Sequence, residues 1–269
     1  MTRSLLADAD FEVIPLQGTV EKASLIAPGT TVSVTASPSR GMAVTLDLAV
    51  RLQELGYQAV PHLSARLIED RHHLSAIIKR LDDGGVGRVF IAGGDGPILG
   101  RYEDALSLLR DMADAGHPFL DVGITGYPEG HPSIPSDRLR QALFDKQQYA
   151  TYIVTQMCFN PRSIVEWVES VRADDVVLPV KVGVPGAVEP TRLLRVAAKI
   201  GVGDSIRFLA KNRRTLLRFL RPGPYRPDRL IESLGRTGEG LGLDGIHLFT
   251  FNQVESTVRW HGRALERLG

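Results

Sequence analysis

Short apolar runs and segments of helical periodicity alternate along this chain at a spacing of about thirty residues, the length of one βα unit. The strand candidates fall at 11–16, 31–35, 58–62, 88–92, 120–125, 152–156, 177–184 and 245–251. They are rich in β-branched and aromatic residues, are bounded by Gly, Pro, Ser or Asp, and are continuously apolar, as strands buried on both faces must be. Helix-period segments lie between them at 42–55, 70–81, 102–115, 161–172, 191–200 and 254–268. Within 70–81, Leu74, Ile77, Ile78 and Leu81 share one face, and Asn160 followed by Pro161 marks a helix start. Eight strands with intervening helices and no linker composition predict a single (β/α)₈ TIM barrel over residues 1–269. A doubly wound open sheet is the alternative. The irregular part is a basic insertion around 202–243.

Composition excludes several classes of function. A net charge of +1 on 269 residues gives no global attraction to nucleic acid or a membrane surface. No run reaches the ~18 apolar residues of a membrane span, and Asp8 and Asp10 interrupt the start before it could act as a signal peptide. The single Cys158 excludes an intramolecular disulfide and fits a reducing compartment, so a cytoplasmic location is expected. His62 and His131 have no companion ligands at helical spacing, so no metal site is expected.

In a barrel of this type, chemistry sits at the C-terminal ends of the strands. Those ends carry Glu12, Thr35, His62, Asp95, then Tyr127 with Glu129 and His131, then Gln156, Pro185-Gly186, and Asn252 with Gln253. Glu12 stands inside its apolar run. Among Phe11, Val13 and Ile14 a carboxylate is desolvated, which favours the protonated form and suits it to donate a proton near neutral pH. The plainer reading is an edge-strand Glu facing solvent. Asp95 lies in Gly93-Gly94-Asp95-Gly96-Pro97, where glycine backbone admits a ligand closely but Asp equally caps a following helix. The insertion gathers Arg207, Lys211, Arg213, Arg214, Arg218, Arg221, Arg226 and Arg229, either a solvated helix face or a basic rim for an anionic ligand.

These fragments, in this order, resemble the methylenetetrahydrofolate reductase family over almost the whole chain. Phe11-Glu12-Val13-Ile14-Pro15 is similar to its first strand, Phe-Glu-x-x-Pro, and Val32-Ser33-Val34-Thr35 to its Val-Ser-Val-Thr. Pro61-His62-Leu63-Ser64 resembles Pro-His-Leu-Thr, and Gly94-Asp95 the end of Arg-Gly-Asp. Tyr127-Pro128-Glu129-Gly130-His131-Pro132 resembles Tyr-Pro-Glu-x-His-Pro. Thr155-Gln156-Met157-Cys158-Phe159-Asn160 is similar to Thr-Gln-Phe-Phe-Phe-Asp, and Pro185-Gly186 and Phe249-Thr250-Phe251-Asn252 resemble the last two strand ends.

The resemblance implies a (β/α)₈ barrel that reduces 5,10-methylenetetrahydrofolate to 5-methyltetrahydrofolate with NADH or NADPH. It implies Glu12 as the acid that protonates N10 and opens the ring to a 5-iminium cation, Asp95 as the charge that stabilises the cation and binds the pterin, and Gln156 as a folate contact. Asn252 and Gln253 stand at the family's folate-side Asn-Arg pair. The family relays hydride through FAD, and here its contacts are depleted. Gly93 replaces an Arg, Leu139, Ala142 and Asp145 replace an Asp, an Asn and an Arg, and Lys146 alone keeps its type. Ala36 follows Thr35 in place of an aromatic, and Arg195 stands at a folate-side Gln.

FAD binding is thus doubtful, and hydride passing directly from NAD(P)H to the iminium is the expectation. Thr35, His62, Tyr127, His131 and Lys146 are then left to hold the dinucleotide. An FAD-dependent reductase of the usual kind and a folate-binding subunit without its own turnover are the alternatives.

Overall fold

The computed structural model describes residues 2–94, 96–189, 225–238 and 240–268, and within them eight strands close into one parallel barrel in chain order. The strands are β1 (Asp10–Val13), β2 (Thr31–Val34), β3 (Gln58–Ser64), β4 (Arg88–Ala92), β5 (Asp121–Gly126), β6 (Tyr152–Thr155), β7 (Val180–Pro185) and β8 (Leu243–Phe249). Pairing of β1 with both β2 and β8 closes the ring and excludes the doubly wound alternative.

The helices are α1 (Thr2–Ala7), α2 (Thr19–Ala23), α3 (Ala43–Glu54), α4 (Arg71–Asp83), α5 (Ala105–Ala115), α6 (Ser136–Lys146), α7 (Pro161–Ala173), α8 (Asp228–Thr237) and α9 (Val254–Leu268). Their starts follow local chemistry. The Asp70 carboxylate accepts from His73 N, Asp104 from Ser107 N, and Asn160 from Arg162 N with Pro161 in the first turn. The expected face of α4 is buried as Leu74, Ile77, Ile78 and Leu81. Each such side chain contributes about 1.5–3 kcal/mol relative to exposure.

Boundaries move where proline or a cap intervenes. β1 stops at Val13 because Pro15 has no N–H for a ladder, and the Asn252 side chain takes over the backbone of Ile14. α5 begins at Ala105 rather than at Tyr102, which is buried with its hydroxyl on Asp111 at 2.9 Å. β7 begins at Val180, beyond Pro179, leaving Val177 exposed. The expected helix at 191–200 and most of the basic insertion lie outside the described residues; of the insertion, 228–237 is the helix α8.

Strand alternation sorts the side chains. Phe11, Val13, Val32, Val34, Val89, Ile91, Val122, Ile124 and Ile153 face the helices in the main apolar core. Along the interior, paired positions carry a polar set low in the barrel, an apolar plug of Val60, Phe90 and Val154, and the cavity above. Two glycines make room. A Cβ at Gly183 would lie 2.3 Å from Thr155 O and 2.6 Å from the Phe249 ring. Gly94 has φ +93°, and a Cβ there would lie 2.1 Å from Ser64 Oγ, so the turn after β4 packs on the end of β3 only as glycine.

Candidate active site

A cavity of about 290 Å³ opens at the C-terminal ends of the strands, lined by Glu12, Thr35, His62, Tyr127, His131 and Gln156 together with Phe90, Thr125, Met157, His247 and Phe249. Six of the side chains expected from the sequence thus converge from five different strands or their following turns.

Glu12 forms the polar floor. Its Oε2 lies 3.2 Å from His247 Nε2 and 3.8 Å from His62 Nε2. Burial pushes His62 down to about 4, with only partial opposition from Glu12, so its imidazole is neutral at physiological pH. His62 also packs against Phe90 at a ring separation of 4.6 Å. His247 behaves in the opposite way. Burial opposes its charge, but the carboxylates of Asp10 and Glu12 outweigh that and push it up to about 9. Lower in the barrel, Asp10 receives Lys181 Nζ at 2.8 and 2.9 Å on its two oxygens. Burial penalises the Asp10 charge, yet His247 and Lys181 hold the carboxyl below its usual range.

His247, Asp10 and Lys181 are the residues that reading strand ends missed. The signal was the two-residue period. Asp10 shares the face of Glu12, and His247 shares the face of Phe249, so both point inward if Glu12 does.

The turns after β5 and β6 are tied together. Glu129 Oε1 accepts from Phe159 N at 2.8 Å and from Asn160 N at 2.9 Å, and Gln156 Oε1 accepts from Glu129 N at 3.2 Å. Burial raises the Glu129 carboxyl even though these two amides favour its charge. Gln156 is therefore held by its oxygen, which leaves its amide N–H groups for a ligand. Tyr127 and His131 meet edge to face at 5.4 Å on the rim.

Three expected ligand contacts are placed differently. Asn252 does not line the cavity. Its Oδ1 accepts from Ile14 N at 2.8 Å, and its Nδ2 donates to Ile14 O at 2.9 Å and Thr19 Oγ1 at 3.0 Å. That amide locks the turn after β1, from a backbone φ of +57° that Asn tolerates better than most residues. Gln253 is buried beside it, with Oε1 accepting from Glu189 N at 2.9 Å. Lys146 is 6% exposed and lies behind the wall, its Nζ 3.5 Å from Thr125 Oγ1. Burial pushes its ammonium down to about 8, with Asp104 partly opposing. Asp95 lies outside the described residues. The turn around it is strapped by Arg66, which donates to Gly96 O at 3.5 Å and Glu103 O at 3.0 Å.

The α6 positions that the family resemblance would set against a flavin are poor in polar partners. Leu139 and Ala142 are half-buried and offer no donor, and the Asp145 carboxylate is engaged by Gln141 Nε2 at 2.8 Å on the helix itself. Arg138, one turn before Ala142, and Lys146 are the cations beside these positions on α6. No helix of the described residues is long and apolar enough to cross a membrane.

Comparison with known proteins points to one family. The family model for methylenetetrahydrofolate reductase matches residues 15–199, starting just beyond Glu12. Methylenetetrahydrofolate reductase 2 of Saccharomyces cerevisiae is 27% identical over 92 residues, 33% of this chain and 15% of that protein. Methylenetetrahydrofolate reductase 1 of Schizosaccharomyces pombe is 25% identical over 181 residues, 62% of this chain and 27% of that protein. The aligned stretches thus cover only a minor part of those relatives' own length. Among solved structures, a protein of Burkholderia cenocepacia J2315 described as a putative lyase/mutase superposes with a TM-score of 0.53 at 14% identity, over 99% of this chain and 87% of that one, a likeness of fold alone. Since the family model spans more than half of the sequence, including the strands β2 to β7, the chain belongs to the methylenetetrahydrofolate reductase family.

Proposed function

We propose that this protein reduces 5,10-methylenetetrahydrofolate to 5-methyltetrahydrofolate with NAD(P)H, by direct hydride transfer and without a flavin. The observation that carries the reading is Glu12, a carboxyl on the cavity floor 3.2 Å from His247 Nε2 and 3.8 Å from His62 Nε2. Glu12 gives its proton to N10 of the folate. The bond from N10 to the bridging methylene breaks with its electron pair going to N10, and a 5-iminium cation remains. Asp95 is the residue proposed to face that cation, as the family resemblance implies. Dihydronicotinamide, when bound, supplies hydride to the iminium carbon. Gln156 holds the folate through its free amide N–H groups, and Thr35, His62, Tyr127 and His131 line the space left for the nicotinamide. Holding both partners in one cavity provides much of the acceleration.

Absence of flavin is supported by the α6 face of Leu139, Ala142 and a self-engaged Asp145, together with Gly93 where the family has an Arg. The FAD-dependent alternative has one observation in its favour, the buried Lys146 behind the cavity wall at Thr125. The test is an absorption spectrum of the purified protein, followed by anaerobic NADH and NADPH oxidation with and without methylenetetrahydrofolate. Colourless protein with folate-dependent oxidation supports the proposal. Bound flavin, or a requirement for added FAD, supports the alternative.

A further inference from the structure

Below Glu12 the barrel holds three ionisable groups that the proposed reaction does not use: His247 on β8, Asp10 on β1 and Lys181 on β7. An Asp–Lys pair with two contacts of 2.8 and 2.9 Å is already satisfied as a neutral unit. An imidazole needed only as filler would be cheaper as an apolar residue, because burying a further polar ring costs free energy unless it is paired. Yet His247, 2% exposed, stands between two carboxylates, with Nε2 3.2 Å from Glu12 Oε2 and Nδ1, which makes no hydrogen bond, 3.9 Å from Asp10 Oδ2. The groups facing it are Asp10 and Glu12 from β1, Lys181 behind Asp10 from β7, and His62 across Glu12 from β3, with the Phe249 ring packed on it at 5.0 Å.

We propose that His247 is the positioning residue for Glu12: an imidazolium kept charged by Asp10, it donates from Nε2 to Glu12 Oε2 and leaves Oε1 to carry the proton delivered to the substrate. The inference rests on the reductase reading of the cavity. When the Oε1–H bond breaks and the new N–H bond forms on the folate, the carboxylate left behind faces a cation 3.2 Å away rather than standing as an isolated buried charge. The proton consumed in each turnover comes from solvent, as the net reaction of folate, dihydronicotinamide and one proton requires. Asp10 acts one step further back. Burial opposes a charge on His247, and the two carboxylates overcome it. With Glu12 neutral before it donates, Asp10 is the carboxylate left beside His247, 3.9 Å from its Nδ1, and Asp10 is itself held ionised against burial by His247 and then Lys181.

Two measurements on the full chain test this. NMR titration of labelled histidine, with the His247 resonance assigned by its loss in His247→Gln, is expected to show an imidazolium that persists above pH 8. In Asp10→Asn its midpoint is expected to fall by more than one pH unit. The alkaline limb of the kcat–pH profile should move down with it, while KM for methylenetetrahydrofolate stays within about twofold. Should Asp10→Asn fold poorly, Asp10→Asn with Lys181→Met removes the pair together, and the wild-type titration stands regardless. A wild-type His247 that titrates at or below the ordinary histidine range overturns the inference. So does an alkaline limb that stays in place while the imidazole midpoint falls. A protein with no folate-dependent oxidation at all overturns the reductase reading first, and the role of His247 with it, so the two failures are distinguishable.

Discussion

Glu12 and His247 share one short contact, 3.2 Å from Oε2 to Nε2, at the closed end of the cavity, with His62 on the other side of the same carboxyl at 3.8 Å. The two imidazoles titrate in opposite directions, half-buried His62 to about 4 and buried His247 to about 9. The difference lies in their neighbours. His247 has Asp10 as well as Glu12, whereas His62 has Glu12 and, behind it, the positive charge of His247.

This opposition predicts a bell-shaped contribution to stability. The raised value of His247 gives stabilisation that is complete below the unfolded value of about 6.5 and is lost as pH rises through about 9. The lowered value of His62 gives stabilisation that is complete above about 6.5 and is lost as pH falls through about 4. Each limb is on the order of 3 kcal/mol. Urea unfolding across pH 4 to 10 is expected to peak near pH 6.5, and His247→Gln should flatten the alkaline limb selectively.

Glu12→Gln keeps the shape and the acceptor for His247 but removes the proton donor. Turnover should drop by about 10²-fold or more with folate affinity largely retained. Steady-state kinetics with a direct measurement of folate binding check this, and a near-normal kcat would remove Glu12 from the mechanism.

Asn252→Ala should act on stability rather than on ligand binding. Three side-chain hydrogen bonds fasten Ile14 and Thr19, and the residue sits at φ +57°, so the expected loss is about 2–4 kcal/mol. A variant of unchanged melting temperature with a raised KM for the folate would return Asn252 to the binding role expected from the sequence.

Lys146→Met should stabilise the protein by about 1–3 kcal/mol, because burial disfavours the ammonium and its contact to Thr125 is long at 3.5 Å. The same change should weaken NAD(P)H binding if the ammonium meets the dinucleotide. Thermal unfolding and KM for NADH, measured side by side, separate the two effects.

The barrel was legible because its strands and helices obey different periods, and caps such as Asp70 and Asn160 sit where the helices begin. Glu12, Thr35, His62, Tyr127, His131 and Gln156 were legible because barrel strands end on one face. Asp10, Lys181 and His247 were not, because they lie inside the barrel where reading only strand ends does not look. Lys181 in particular breaks an apolar run, and its reason is Asp10, distant in sequence and adjacent across the closed sheet. Asn252 was misplaced for a different reason. A polar residue after β8 looks the same in sequence whether it faces a ligand or holds the neighbouring turn, and only closure of β8 onto β1 decides it. The basic run from Arg207 to Arg221 lies outside the described residues.

The central claim is a proton from Glu12 and a hydride taken directly from the dinucleotide, and one experiment addresses both. Purified protein is mixed anaerobically with stereospecifically C4-deuterated NADH, unlabelled methylenetetrahydrofolate and no added flavin. The expected result is colourless protein whose 5-methyltetrahydrofolate carries the deuterium in its methyl group, with initial rates showing a ternary complex and with Glu12→Gln inactive. Flavin bound in stoichiometric amount together with ping-pong rates, or no NADH oxidation whether or not the folate is present, would contradict it.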